Sequence, residues 1–186
     1  MIFCDHAEIN LTLRSNVFVL LLILFPLKAI AVQTCDPNVL PTAPDSRFQD
    51  NGDGTVTDFY TGLMWQRCSI GDTYADCLAY PVSKFMWNSA LLLAPNLNQI
   101  GGFAGYTDWR LPNIKELRSL IEFACINPAM NINVFHVNPG TYGSSSPMRS
   151  NSYGVWGVNF DTGASVFLYR SYYSYHYSLR LVRGGS

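Results

Sequence analysis

From residue 47 onward, apolar and polar positions alternate over short runs separated by turn residues, a pattern that predicts many short strands. Arg47-Phe48-Gln49 and Thr55-Val56-Thr57 flank Asn51-Gly52-Asp53-Gly54, which predicts a β-hairpin. Thr61-Gly62 turns the chain into Leu63-Met64-Trp65-Gln66, a further strand. Residues 69–82, with Gly71, Asp72 and Pro81, read as a loop. Trp87, Ala90, Leu91, Ala94 and Leu97 recur at helical spacing and predict a first helix, kinked or shortened by Pro95. Asn113 follows Pro112 and stands three residues ahead of Glu116, the signature of a capping box opening a second helix. Ile114, Leu117, Ile121 and Ala124 would line its buried face, with Pro128 beyond its end. Residues 131–152, rich in Asn, Pro, Gly and Ser, read as one long irregular stretch. Residues 155–160 and 164–182, joined at Asp161-Thr162-Gly163, read as a terminal hairpin. These elements describe an α+β domain over 47–186 with no internal repeat, preceded by an extended arm over 32–46 that contains Pro37, Pro41 and Pro44.

The first 31 residues follow a different pattern. Residues 17–25 are all apolar, Arg14 precedes them, and Ala29-Ile30-Ala31 places small residues where a signal peptidase reads. The run is well short of the roughly 20 residues that span a bilayer. Residues 1–31 therefore read as a signal peptide, with a membrane anchor as the rival. Charged residues make up 13% of the chain and aromatics 14%, which excludes disorder and predicts an uncharged, ring-rich surface. The net charge of −1 argues against a nucleic acid or other general polyanion as partner. It is unevenly spread: residues 32–108 carry net −5 and residues 109–186 net +4.

Removing the leader takes Cys4 and leaves Cys35, Cys68, Cys77 and Cys125. An even count in an exported chain predicts two disulfides, with three connectivities open. Cys68 and Cys77 are close enough to staple a local loop, which leaves Cys35 and Cys125 for a long-range tie. A zinc site does not fit, because no C-x₂₋₄-C pair exists. Asp50 to Gly54 superficially resembles a calcium loop, but glycines stand where the third and fifth ligands belong, so it reads as the hairpin turn. His136 and His176 form no metal motif, and no G-x-S-x-G or phosphate-binding glycine loop occurs. Among the carboxylates available for acid–base chemistry, Glu116 is accounted for by capping and Asp108 by a turn, and Glu122 completes the set. Tyr106 to Pro112 reads as structural, with Trp109 and Leu111 in the core and Arg110 in an ion pair.

Residues 169–178, Tyr-Arg-Ser-Tyr-Tyr-Ser-Tyr-His-Tyr-Ser, are half tyrosine. A plain strand would alternate Tyr173, Tyr175, Tyr177, Leu179 and Leu181 against Ser174, His176, Ser178, Arg180 and Val182. So many tyrosines exceed what a core this size needs. Tyr and Ser together are the composition of binding loops, where rigid rings give contact area and hydroxyls give adaptable hydrogen bonds. Arg149, Asn151, Tyr153, Tyr169, Arg170, Ser171, Tyr172, Tyr173, Ser174, Tyr175, His176 and Tyr177 are the candidate ligand-binding residues.

The blocks R-F-x-D-N-G-D-G-T-V-T-D (47–58), T-G-L-M-W-Q-R-C (61–68), D-W-R-L-P-N-I-K-E-L-R-S-L (108–120), C-x-N-P (125–128), S-S-S-P (144–147) and R-L-V-R-G-G (180–185) resemble the Legionella collagen-like protein C-terminal domain family. The resemblance implies secreted or surface modules, one group of which adheres to sulfated glycosaminoglycans. Arg110-Leu111-Pro112 and Arg180 to Arg183 are also similar to the formylglycine-generating enzyme group. That similarity implies a C-type-lectin-like fold, two helices packed on short antiparallel sheets with much irregular loop. The enzyme's chemistry does not carry over, because its thiols lie late in the domain and no cysteine follows Cys125 here. Residues 149–178 further resemble, in composition, the variable region of proteins diversified by retroelements.

The expectation is an exported, non-catalytic domain, secreted, periplasmic or at the cell surface, that binds a protein or glycan and needs no cofactor or metal. A structural subunit of a surface appendage is the alternative, and an enzyme of the formylglycine-generating kind is third. No membrane insertion or particular oligomer is implied. Intact-mass measurement of the exported chain should show a start near Val32 and the loss of two hydrogens for each of two disulfides; four free thiols would contradict this.

Overall fold

In the computed structural model, which describes residues 32–71, 85–136, 140–170 and 177–184, the first hairpin forms where its turn residues place it. Strands β1 (Thr34–Cys35), β2 (Phe48–Asp50), β3 (Thr55–Asp58) and β4 (Leu63–Gln66) come first. Asn51 N–H donates to the Thr55 carbonyl at 3.0 Å, and the Asp53 carboxylate accepts from both the N–H and the hydroxyl of Thr55. The acidic side chains of the turn thus shape the loop. Val56 stands opposite Trp65 across β3 and β4, and both are buried because alternate residues of a strand share a face.

Helix α1 (Trp87–Gln99) buries Ala90 and Ala94, with Leu91 and Leu97 partly buried beside them. Pro95 lies inside it without ending it. Asn113 caps α2 (Ile114–Arg118) as predicted: its side chain accepts from the N–H groups of Lys115 and Glu116, and Glu116 reaches back to Asn113 N–H. The helix is shorter than its apolar spacing suggested. Leu117, Ile121 and Ala124 are all buried, but Ile121 already bridges to Met130, and Glu122 N–H donates to the Ala129 carbonyl. Backbone pairing claims those residues before the helix can extend. Strand β5 (Cys125–Ile126) follows and pairs with β1.

Two expectations for the C-terminal third are corrected. Within the supposed irregular stretch, β6 (Thr141–Pro147) is a strand, antiparallel to β7 (Gly154–Asn159), which in turn pairs with β8 (Ala164–Tyr169). Its small residues are required by packing: a Cβ at Gly143 would lie 2.9 Å from the Tyr177 ring. Ser144 is fully buried and donates to the Trp156 carbonyl. Nor do residues 164–182 form one strand. β8 ends at Tyr169, and β9 (Val182–Arg183) joins the other sheet beside β4, giving the order β2-β3-β4-β9. Trp109 and Leu111 are buried, and Arg110 makes a two-pronged ion pair with Glu116 at 2.8 and 2.7 Å, as expected. The described residues thus form an α+β domain with two α-helices on short antiparallel sheets, and Ala31–Ser186 form one compact unit.

The arm pairs briefly as β1, turns at 37–39 and enters a 3-10 turn over Asp45–Arg47, and it is tied down. Cys35 and Cys125 are disulfide-bonded, the long-range pair anticipated, and Gln33 donates to the carbonyls of Pro128 and Met130. Cys68 is also in a disulfide, while Cys77 lies outside the described residues, as do the proposed signal peptide and most of the loop over 69–82. Glu122, buried beneath the arm, accepts from the N–H groups of Thr42 at 3.0 Å, Ala43 at 2.7 Å and Ala124 at 3.0 Å. Burial alone would raise this carboxyl. The N–H groups of Ala124, Thr42 and Ala43, with the Thr42 hydroxyl, outweigh it and hold the pKa below the ordinary 4.5. A depressed pKa contributes stability that is full above about 4.5 and is lost as pH falls through the lower folded value. Glu122→Gln should therefore cost about 2 kcal/mol or more at pH 7 and flatten the loss of stability as pH falls below about 4.5. Thermal melts of both proteins across that range check it, and an unchanged pH slope would contradict it.

Candidate ligand-binding surface

β6 ends, β7 begins and β8 ends at the same end of the three-stranded sheet, so the loop over 148–153 and residues 169–170 converge there. Their placement is fixed by the backbone. Arg170 N–H donates to the Tyr153 carbonyl at 3.0 Å, and Met148 N–H to the Gly154 carbonyl at 3.0 Å. The Asn151 side chain accepts from Tyr153 N–H at 2.9 Å, and its carbonyl accepts from Gly154 N–H. Asn151 is thus occupied in shaping the turn that presents Tyr153.

Five sequence-predicted residues are brought together here. Tyr153 is 71% exposed and Tyr169 41%, Arg149 is exposed, and Arg170 and Asn151 are half-buried. The Arg170 guanidinium lies 4.8 Å from the centre of the Trp87 ring, a cation–π contact that holds the charge in one position. Trp87 is itself anchored by its indole N–H, which donates to the Ser144 carbonyl at 3.0 Å. Ser171, Tyr172, Tyr173, Ser174, Tyr175 and His176 lie outside the described residues.

Tyr177 is corrected. It is 2% exposed, packs with Val155 and Leu168, and donates its hydroxyl to the Tyr169 carbonyl. Burial raises its phenol above the usual value of 10.0. A ring this enclosed serves the core and is not a surface for a ligand. Ser178 and residues 179–182 are buried as well, so the expected two-faced strand does not occur at this point; both of its sides are covered. Of the region likened to a diversified segment, Val155, Val158, Phe160, Leu168, Tyr177 and Ser178 are core positions, which confines tolerated variation to the residues between them.

Sequence reasoning missed Phe167 and Trp156. Phe167 lies directly opposite Trp156 across β7 and β8, on the face that also carries Tyr169, and its ring meets the Tyr169 ring edge-on at 4.6 Å. A Cβ at Gly154 would lie 2.3 Å from the Phe167 ring, so the glycine lets that ring lie flat along the strand. The signal was present in Val166-Phe167-Leu168-Tyr169. Only Leu168 of the last three is buried, and strand alternation puts Phe167 and Tyr169 on the opposite face. The sheet end therefore offers Tyr153, Phe167 and Tyr169 as rings and Arg149 and Arg170 as cations.

The carboxylates singled out for acid–base chemistry are otherwise engaged. Asp108 accepts from Arg183 at 2.7 Å, an interaction that lowers its pKa. Glu116 caps α2 and pairs with Arg110, and Glu122 holds the arm. Asp58 accepts from Arg47 and Thr61; these bonds and the Arg47 charge outweigh burial and keep its carboxyl below the ordinary range.

Fold and surface together define an α+β domain of short antiparallel sheets whose aromatic end stands on a disulfide-tied frame. The chain belongs to the Lcl C-terminal domain family, whose model matches residues 54–183, from the first hairpin turn through β9. No curated protein matches the chain. The Cys35–Cys125 disulfide is consistent with a location outside the reducing cytosol. No helix among the described residues is long and apolar enough to cross a membrane.

Proposed function

We propose that this chain is an exported, non-catalytic binding domain that recognises a protein or glycan through the sheet end built from Tyr153, Phe167, Tyr169 and Arg170. The observation that carries the reading is the exposure of Tyr153 and Tyr169 on a backbone pinned by paired strands. A ring fixed in place loses little entropy on binding, and its polar tip contacts apolar and hydrogen-bonding groups alike. Arg170, stacked on Trp87, adds a positioned cation, and Arg149 a second on the neighbouring loop. These charges suit a ligand with acidic or hydroxyl-rich groups beside a face that rings can cover. The engagement of Asp58, Asp108, Glu116 and Glu122 in structural contacts supports binding over catalysis.

The test is an array of neutral and sulfated glycans, together with surface proteins, probed with the wild-type chain and with Tyr153→Ala and Tyr169→Ala. Each substitution should weaken the strongest binding found by about 2 kcal/mol, or roughly thirtyfold. Melting should move by no more than about 0.5 kcal/mol in stability, as for surface changes. Binding at wild-type strength in both variants would place recognition elsewhere.

A further inference from the structure

The two edges of the three-stranded sheet are treated differently. Along β6, Gly143 N–H donates to the Ser178 carbonyl at 3.1 Å and Ser178 N–H to the Thr141 carbonyl at 3.0 Å, while Ser145 N–H reaches the Pro112 carbonyl at 2.8 Å. The register also breaks between Gly143 and Pro147, so this edge is both covered and irregular. β8 is regular, with six consecutive residues paired to β7 without a shift, and no strand among the described residues pairs with its outer edge.

The direction of each β8 backbone group follows from the ladder. Arg170 N–H bonds to the Tyr153 carbonyl, and the bonded pairs then recur every second residue, at Leu168, Val166 and Ala164. Ser165, Phe167 and Tyr169 therefore turn their backbone groups away from β7. The Tyr169 carbonyl is taken by the Tyr177 hydroxyl. The N–H and C=O groups of Ser165 and Phe167 find no hydrogen-bond partner among the described residues. Natural sheets protect such an edge with charge, proline or a bulge. The sequence Ala-Ser-Val-Phe-Leu-Tyr over 164–169 contains neither charge nor proline, and its register has no bulge.

We propose that β8 is the pairing edge for a second copy of this chain, antiparallel and with the two-fold axis at Val166. In that register Ser165 exchanges both hydrogen bonds with the partner's Phe167, and Phe167 with the partner's Ser165, so every open group is satisfied. Val166 meets the partner's Val166, and Ala164 meets the partner's Leu168. Each large side chain thus faces a small one, and no charge opposes another. This self-complementarity of size and neutrality selects a second copy as the occupant. The two sheets become one continuous sheet. Because the strands run in opposite directions, the two Tyr153–Tyr169 ends point to its opposite ends.

Sedimentation of the purified chain over a range of concentrations tests the pairing, with Ser165→Pro and Ser165→Lys alongside. Proline at 165 removes an outward N–H and no bond to β7, and lysine sets a charge on the edge. The wild type should shift from monomer to dimer with rising concentration. Both variants should raise the dimer dissociation constant by about tenfold or more while melting with the wild type. If the proline variant does not fold, the lysine variant decides. Val166→Cys supplies a second readout, since a pair across the axis without hydrogen bonds brings the two sulfurs within bonding reach. It should form a covalent dimer under mild oxidation, and should fail to do so when combined with Ser165→Lys. A wild type that stays monomeric up to about 1 mM would overturn the proposal. So would a dimer indifferent to both Ser165 changes, or one that Val166→Cys cannot crosslink.

Discussion

Arg180 is fully buried, and its guanidinium is received by main-chain carbonyls: those of Gln66, the last residue of β4, and Arg67 just after it, and that of His136. The rings of Phe135 and Tyr142 flank it at 5.0 and 5.9 Å. A buried charge is tolerated only where polar groups replace its water, so these carbonyls must all stay in place around it. On either side of Arg180 the chain is enclosed from Tyr177 to Val182. Gln66 and Ile70 donate from one side to the carbonyls of Leu181 and Leu179, and Gly143 from the other to that of Ser178. Arg110 and Val182 bond reciprocally. The terminal segment is therefore the seam that joins the four-stranded sheet to the three-stranded one.

The recognition end depends on that seam. Tyr177 enters it and fixes the end of β8 through the Tyr169 carbonyl, while its ring requires glycine at 143. Small residues in β6, a buried tyrosine and the exposed rings beyond them are parts of one packing arrangement. The disulfide and Glu122 act at a different place, holding the arm to β5 and the turn after α2. The frame is rigid where the rings emerge because its strands are paired on both sides of β7.

Features set by neighbouring residues were legible in the sequence. Asn51 to Gly54 specified a hairpin and Asn113 and Glu116 a capping box, and the nearness of Cys68 to Cys77 favoured Cys35–Cys125 among three open pairings. Trp109, Leu111 and Arg110 took the places their chemistry suggested. Features set by distant partners were not legible. β6 has the composition of a loop and is nevertheless a strand because it pairs with β7, while the Tyr177 and Leu179 side chains leave no room for one at Gly143. Tyr177 is a tyrosine like the exposed Tyr153 and Tyr169, and only the closure of Val155 and Leu168 around its ring sets it apart. Phe167 has no compositional signal of its own, and only alternation along β8 places it beside Tyr169.

Native-state hydrogen exchange tests the seam most directly. If residues 177–182 lock the two sheets together, the amides of Val56 and Trp65 in one sheet and of Val155 and Val158 in the other should open with the same free energy. Arg180→Met, which leaves its carbonyls without a donor, should lower both sets together by roughly 3 kcal/mol or more. Full protection in β3 and β4 while β7 opens on its own would show that the sheets are independent and contradict the account.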